Sequence, residues 1–250
     1  GDSPGAQETD LELEVTVSPF ELQRARIAYA PFFYMNWGPG PLPKFTNTDA
    51  WTAAIFRDMA EHSHTSVIGL GYSLPGAHID TAKVPPPVDN RTFNFLLPLA
   101  KETGLTSPDI PVFHMGNNLT VPEYDGGTTV EQKNKFADWY ETERQKQGWP
   151  ELISYGIDEP QHPNPGFRKR YRTFRDVRMR LGTAQSAPAA SGLGDMDDVW
   201  IEVGGEITPE MSAEAQRLGA EVWTYICAPL SYKPLLERYY AGLYCWAHRV

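Results

Sequence analysis

Short apolar runs that suit β-strands alternate along the chain with longer segments of helical periodicity. Strands that alternate with helices indicate parallel βαβ units. Eight units favour a (β/α)8 TIM-type barrel whose eighth helix is absent, because the last run lies near the end of the chain. An open doubly wound sheet is the alternative, although no GxGxxG turn follows the first run. The eight runs are 27–35, 65–71, 110–118, 151–160, 182–190, 197–205, 221–229 and 241–247.

The composition favours one globular domain that does not bind nucleic acid. The chain has 250 residues and a net charge of −10, and its basic residues are scattered. Phosphate backbones require clustered Lys and Arg, so nucleic acid is excluded as a partner. We expect 1–14 to be a polar linker or edge segment and 15–250 to form one barrel domain. The densest basic run predicts a helix over 167–181, whose apolar positions form its inward face: Phe167, Tyr171, Phe174, Val177 and Leu181.

Several features bear on localisation, cysteine chemistry and metal binding. No apolar run approaches the ~18 residues of a membrane span. We expect a secreted or periplasmic location, and segment 1–14, which has no apolar signal region, is expected to follow the site at which a leader was removed. Cys227 and Cys245 are too few for a disulfide framework, and buried thiols are favoured over a disulfide. His62 and His64 end the first helix, on the face away from the strand ends, so we expect no metal and no cofactor.

Two adjacent acids, Asp158 and Glu159, follow the fourth apolar run in the stretch YGIDEP. The carboxyl ends of barrel strands form the active-site face. Adjacent strand residues point to opposite sides, so both acids can serve one site only if the strand has curled into its loop. Pro160 favours that curl, because it cannot continue a strand ladder. A helix cap or a salt-bridged loop is the structural alternative.

Aromatic and polar side chains follow the other predicted strands. Aromatic rings stack on sugar rings, while amide, imidazole and phenol groups match sugar hydroxyls. Any one of these aromatic residues could instead be a core residue. Together they predict a carbohydrate-binding cleft whose substrate-binding residues are Tyr34, Asn36, His114, Asn117, Glu202, Trp223, Tyr225 and Trp246.

The position of the acids bears on the reaction mechanism. Ordinary retaining glycosidases use two carboxylates ~5–5.5 Å apart on separate elements. The seventh run has no acid at its carboxyl end, because Glu221 lies at its start. An adjacent Asp-Glu pair suits the substrate-assisted route, in which a 2-acetamido group on the sugar acts as the nucleophile. A two-carboxylate glycosidase that pairs Glu159 with Glu202, and an inactive carbohydrate-binding barrel, remain as alternatives.

Several short motifs resemble the catalytic barrel of glycoside hydrolase family 123: VTVSPFEL, DMAEHSHTSV, YGIDEP, VWTYICAP and YYAGLYCWA. The resemblance extends over roughly 15–247, and its most specific motifs are DEP and Trp-x-Tyr. Members of that family are β-N-acetylgalactosaminidases that use such an Asp-Glu pair. The resemblance implies a retaining hexosaminidase in which Asp158 orients the acetamido group and Glu159 is the general acid/base.

Overall fold

The computed structural model describes residues 14, 27–31, 49–70, 76–114, 129–156, 165–184, 193–203 and 207–225. The five α-helices in this part of the chain are α1 (Asp49–Glu61), α2 (Leu97–Glu102), α3 (Val130–Gln147), α4 (Pro165–Phe174) and α5 (Pro209–Leu218), and a π-helical turn (Thr92–Leu96) runs into α2. The six strands are β1 (Ile68–Leu70), β2 (Val112–His114), β3 (Leu152–Tyr155), β4 (Leu181–Ala184), β5 (Val199–Val203) and β6 (Glu221–Tyr225). Within these ranges, none of the helices combines the length and apolar character needed to cross a membrane.

The six strands form one sheet in which spatial order follows chain order. The order is β1-β2-β3-β4-β5-β6, and every neighbouring pair is parallel. The amino ends of all six strands therefore meet at one edge of the sheet and their carboxyl ends at the other. β3 is central, with β2 on one side and β4 on the other.

The prediction of a (β/α)8 barrel is wrong for the architecture observed, which is a six-stranded, half-barrel parallel sheet. Segment 27–31 accepts backbone hydrogen bonds beside β1, from Thr65 N to Tyr29 O at 3.1 Å and from Ile68 N to Pro31 O at 3.1 Å. It is not assigned as a strand, and 241–247 lies outside the described residues. Closure requires pairing between the first and last strands, with a matching tilt and stagger. An alternating sequence pattern reports neither quantity.

The sheet is strongly curved. The ring of Phe113 on β2 lies 5.0 Å from the ring of Trp223 on β6, in an edge-to-face contact. These strands are four positions apart, a separation of ~19 Å in a flat sheet. One face of the sheet is therefore concave. Its apolar cluster is built from strand residues: Phe113, Ile153, Tyr155, Ala184, Val199 and Ile201, with Ile68, Trp223 and Tyr225 packed against them.

The opposite face is convex and is covered by helices. Val112 and Leu152 alternate with the concave-face residues and pack in a cluster with Phe56 of α1 and Phe136 of α3. Leu181 packs on Tyr171 of α4 and on Leu193. Along β2 to β6 this alternation of inward and outward side chains assigns each residue to one face. A register shift between Ile68 and Leu70 interrupts it in β1, so Ile68 packs on the concave cluster and Leu70 packs with the helices.

Local capping signals account for the bounds of two helices. The side chain of Thr129 accepts a hydrogen bond from Gln132 N at 3.2 Å, and Gln132 Oε1 accepts one from Thr129 N at 2.9 Å, which forms a capping box at the start of α3. The sequence Thr208-Pro209-Glu210 predicts a helix start, with Thr as the N-cap, Pro at the first helical position and an acid in the first turn. Thr208 accepts a hydrogen bond from Met211 N at 3.2 Å, which confirms this start of α5.

The predicted helix over 167–181 is longer than the helix observed. α4 ends at Phe174, Val177 lies in the turn that follows, and Leu181 begins β4. Tyr171 and Leu181 are both buried and pack in one cluster, as the apolar stripe predicts. A helix and the strand that follows it can both contribute residues to one apolar cluster. The spacing of apolar residues therefore did not locate the end of α4.

Candidate functional site

The carboxyl edge of the sheet positions the candidate site. From the end of β3 at Tyr155 the chain continues through Gly156 towards Asp158 and Glu159. Ligands of parallel α/β sheets bind outside the carboxyl ends of the strands. Several predicted site residues lie outside the described residues: Tyr34, Asn36, Asn117, Asp158, Glu159 and Trp246.

Trp223 and Tyr225 lie on the concave face of β6. Both pack against the concave apolar cluster and are half-buried. Trp223 Nε1 donates a hydrogen bond to Glu221 Oε2 at 3.1 Å, and its ring contacts Phe113. The structure thus brings two of the predicted sugar-contacting aromatic residues to one face of one strand.

His114 and Glu202 lie on the convex face instead. His114 follows Val112 by two residues, and Glu202 lies between Ile201 and Val203 of β5, so alternation turns both side chains towards the helices. Both residues are fully buried, at 0% exposure. The structure therefore separates these two predicted site residues from Trp223 and Tyr225 by the thickness of the sheet.

Lys133 is a buried charge that the sequence analysis missed. It is 0% exposed and shares the inward side of α3 with Phe136, Ala137 and Tyr140. α3 ends shortly before β3 begins, so its first turns, including Lys133, lie towards the carboxyl edge. Burial of an ammonium group is costly unless acceptors surround it. The available signal was a lysine at a position where the helical period requires an apolar residue.

A buried polar network borders the end of β3 on the convex face. Tyr171 Oη lies 3.2 Å from Thr183 Oγ1, and Thr183 Oγ1 donates to Asp197 Oδ1 at 3.2 Å. These residues are 1%, 0% and 3% exposed, respectively. They come from α4, β4 and the segment before β5, and none of them is among the predicted site residues.

An ion pair fixes α4 over this network. Arg168 donates two hydrogen bonds to Asp195, from Nη1 to Oδ1 and from Nη2 to Oδ2, each at 2.6 Å. Hydrogen bonding to the Arg168 guanidinium lowers the pKa of the Asp195 carboxyl group, because it favours the charged form. The helix is therefore held both by buried packing at Tyr171 and by a two-point contact at its first turn.

His62 and His64 directly follow α1 and are not among the predicted site residues. The ring of His64 stacks on Tyr29 at 4.7 Å, and burial lowers the pKa of His64. His62 is exposed, with Nδ1 2.8 Å from the carbonyl oxygen of Asp58. In the part of the chain that the structure describes, no three His, Cys, Asp or Glu side chains form a group that could hold a metal ion.

Structural likenesses to solved proteins, at low sequence identity, include two glycoside hydrolases. No family model matches the chain, and no curated protein matches it. A candidate alpha-L-fucosidase from Bacteroides thetaiotaomicron VPI-5482 matches at a TM-score of 0.41 and 13% identity, over 88% of this chain and 79% of the other. A family 123 glycoside hydrolase from Clostridium perfringens matches at 0.42 and 13%, over 70% of this chain. The match spans 38% of that enzyme's length, and neither likeness assigns an activity to this chain.

Proposed function

We propose that the protein is a retaining glycoside hydrolase that cleaves at a 2-acetamido sugar, with β-linked N-acetylgalactosamine as the preferred substrate. One observation carries the proposal. The central strand of a curved parallel sheet leads, at its carboxyl edge, directly into Asp158-Glu159-Pro160, and the concave face beside that edge presents Trp223 and Tyr225. Acids and aromatic faces are the groups that cleavage and binding of a sugar require.

The proposed reaction has two steps. The acetamido carbonyl oxygen attacks the anomeric carbon while Glu159 transfers its proton to the leaving oxygen, and the glycosidic bond breaks. The Asp158 carboxylate accepts a hydrogen bond from the acetamido N–H and stabilises the positive charge of the cyclic intermediate. Water then attacks the anomeric carbon as its bond to the acetamido oxygen breaks, and Glu159 takes a proton from the water, which restores the acetamido group and the enzyme and retains the configuration.

The aromatic pair on β6 takes the acetamido group in this scheme. The hydroxyl of Tyr225, nearer the carboxyl edge, donates a hydrogen bond to the acetamido oxygen as it attacks, and Trp223 packs against the methyl group. Tyr34, Asn36, Asn117 and Trp246 stay as proposed contacts for the rest of the sugar, whereas His114, buried on the convex face, does not. The position of Glu202 favours the substrate-assisted route over a Glu159–Glu202 pair, because a buried carboxylate on the convex face is on the wrong side to attack a sugar beside Trp223.

Hydrolysis of chromogenic glycosides tests the proposal. The panel contains both anomers of N-acetylgalactosaminides and N-acetylglucosaminides, together with sugars that have a free 2-hydroxyl. We expect turnover only where a 2-acetamido group is present. Glu159→Gln should lose most activity on poor leaving groups and much less on activated aryl groups, which need little protonation. Equal loss on both would remove Glu159 as the acid, and binding without turnover of any sugar would identify a carbohydrate-binding protein instead.

A further inference from the structure

We infer that Gly156, packed against the hydroxyl groups of Tyr171 and Thr183, sets the position of the carboxyl end of β3 and is a positioning residue for the acids that follow. The catalytic part of this inference rests on the proposed function. The structural part rests on described residues alone.

Gly156 is where the backbone of β3 meets the buried network. A Cβ atom built at this position would lie within 3.0 Å of Tyr171 Oη and within 3.0 Å of Thr183 Oγ1. Real Cβ atoms do not approach other atoms so closely. Gly156 is not among the glycines with positive φ, so its conformation does not require glycine and the reason for glycine is space.

The surrounding bonds leave little freedom for the two oxygens to move away. Thr183 has one hydroxyl proton and donates it to Asp197, so Tyr171 must donate to Thr183. Thr183 sits on a central strand, and the Tyr171 ring is closed in by Leu181 and Leu193. An added methyl group at position 156 must therefore displace the strand end or α4.

Strand pairing extends through the contact. Gly156 N donates to Gly182 O at 2.8 Å, and Ser154 N donates to Arg180 O at 2.9 Å. Gly156 lies two positions before Asp158 in the chain. On the far side of the acids, α4 begins at Pro165 and carries Tyr171 into the same network.

Gly156, which precedes the acids in the chain, therefore lies against Tyr171 of α4, the next described helix after them. An acid that must donate a proton in the transition state requires its position to be set by rigid neighbours. We expect Gly156→Ala to lower kcat on N-acetylhexosaminides by ~10- to 100-fold, the loss typical of a displacement of about 1 Å. KM should change little, because the sugar contacts on β6 are untouched.

Removing the two hydroxyl groups should restore activity to Gly156→Ala, which would not happen if the substitution caused a general packing defect. Tyr171→Phe and Thr183→Ala together remove both oxygens that an alanine at 156 would meet. The effect of Gly156→Ala should therefore be much smaller in the Tyr171→Phe/Thr183→Ala background than in the parent. Gly182→Ala is the matched control, since its Cβ would meet the Phe113 ring on the concave face. Tyr171→Phe and Thr183→Ala together should not restore the activity of Gly182→Ala.

The experiment combines kinetics with amide hydrogen exchange of the peptides covering 152–160. We expect faster exchange at the end of β3 in Gly156→Ala, recovery in the triple variant, and no recovery for Gly182→Ala. If Gly156→Ala does not fold, a folded triple variant supports the inference and an unfolded one overturns it. Parent-like exchange and kcat in Gly156→Ala, or equal losses in both backgrounds, would also overturn it. If the parent has no activity on any N-acetylhexosaminide, the proposed function is wrong. If the variants nevertheless show the predicted exchange pattern, the role of Gly156 in positioning the end of β3 is still supported.

Discussion

Replacing Tyr140 by phenylalanine should weaken the fold without touching the chemistry. Tyr140 is 4% exposed, its hydroxyl donates to Pro150 O at 2.7 Å, and its ring stacks on Trp149 at 6.4 Å. Phenylalanine keeps the ring and removes the hydrogen bond, which leaves a buried carbonyl group without that donor. The expected loss in the free energy of unfolding is about 1–2 kcal/mol. For a chain of this size the melting temperature should fall by ~2–8 °C.

The same substitution has a predicted pH dependence. Burial raises the pKa of Tyr140 well above its ordinary value, so the folded protein holds the phenol proton more tightly than the unfolded chain does. The stabilisation that the protonated phenol of Tyr140 gives the folded state is fully present below the unfolded pKa of about 10. It is lost as the pH rises from there towards the pKa of the folded state. Tyr140→Phe lacks that loss, so the gap in melting temperature between parent and variant should narrow above about pH 10. Equal stability at pH 7, or a gap that widens in alkali, would refute this reasoning.

Three further predictions concern the acids and the aromatic residues. A thiazoline that mimics the cyclic intermediate should inhibit strongly, and Asp158→Asn should weaken that inhibition; a fluorosugar adduct on Glu202 would contradict the scheme. Tyr225→Phe should lower the rate with little change in melting temperature, the opposite of Tyr140→Phe, and full activity would remove Tyr225 from the site. Asp195→Asn should cost up to ~1 kcal/mol at pH 7, since the pair with Arg168 is part-exposed, and the gap to the parent should close as acid protonates Asp195. Thermal melts from pH 7 to pH 3 measure that gap, and one that persists in acid would count against the ion pair.

Local sequence signals predicted the secondary structure well. The start of α5, predicted from Thr208, Pro209 and Glu210, depends only on residues a few positions apart. All six described strands lie at apolar runs that the sequence marks. Closure of the sheet, by contrast, depends on pairing between distant strands, and an alternating pattern contains no measure of strand tilt.

In the candidate site too, features set by neighbouring residues could be predicted from the sequence, whereas contacts between distant elements could not. Alternation correctly places Trp223 and Tyr225 on one face, and the same rule applied to Glu202 would have placed it with the helices. The meeting of Gly156 with Tyr171 could not be read from sequence, because it depends on how closely α4 approaches β3. A glycine beside the acids in YGIDEP was the available signal, and only the structure supplies its steric reason.

Substrates in which fluorine replaces hydrogen on the acetamido methyl group test the central claim most directly. Fluorine withdraws electrons from the carbonyl oxygen and weakens it as a nucleophile, without changing the leaving group. If that oxygen attacks the anomeric carbon, kcat/KM should fall steeply with each added fluorine, and the fall should persist in Tyr140→Phe. A kcat/KM that does not depend on the number of fluorine atoms would show that the substrate does not supply the nucleophile.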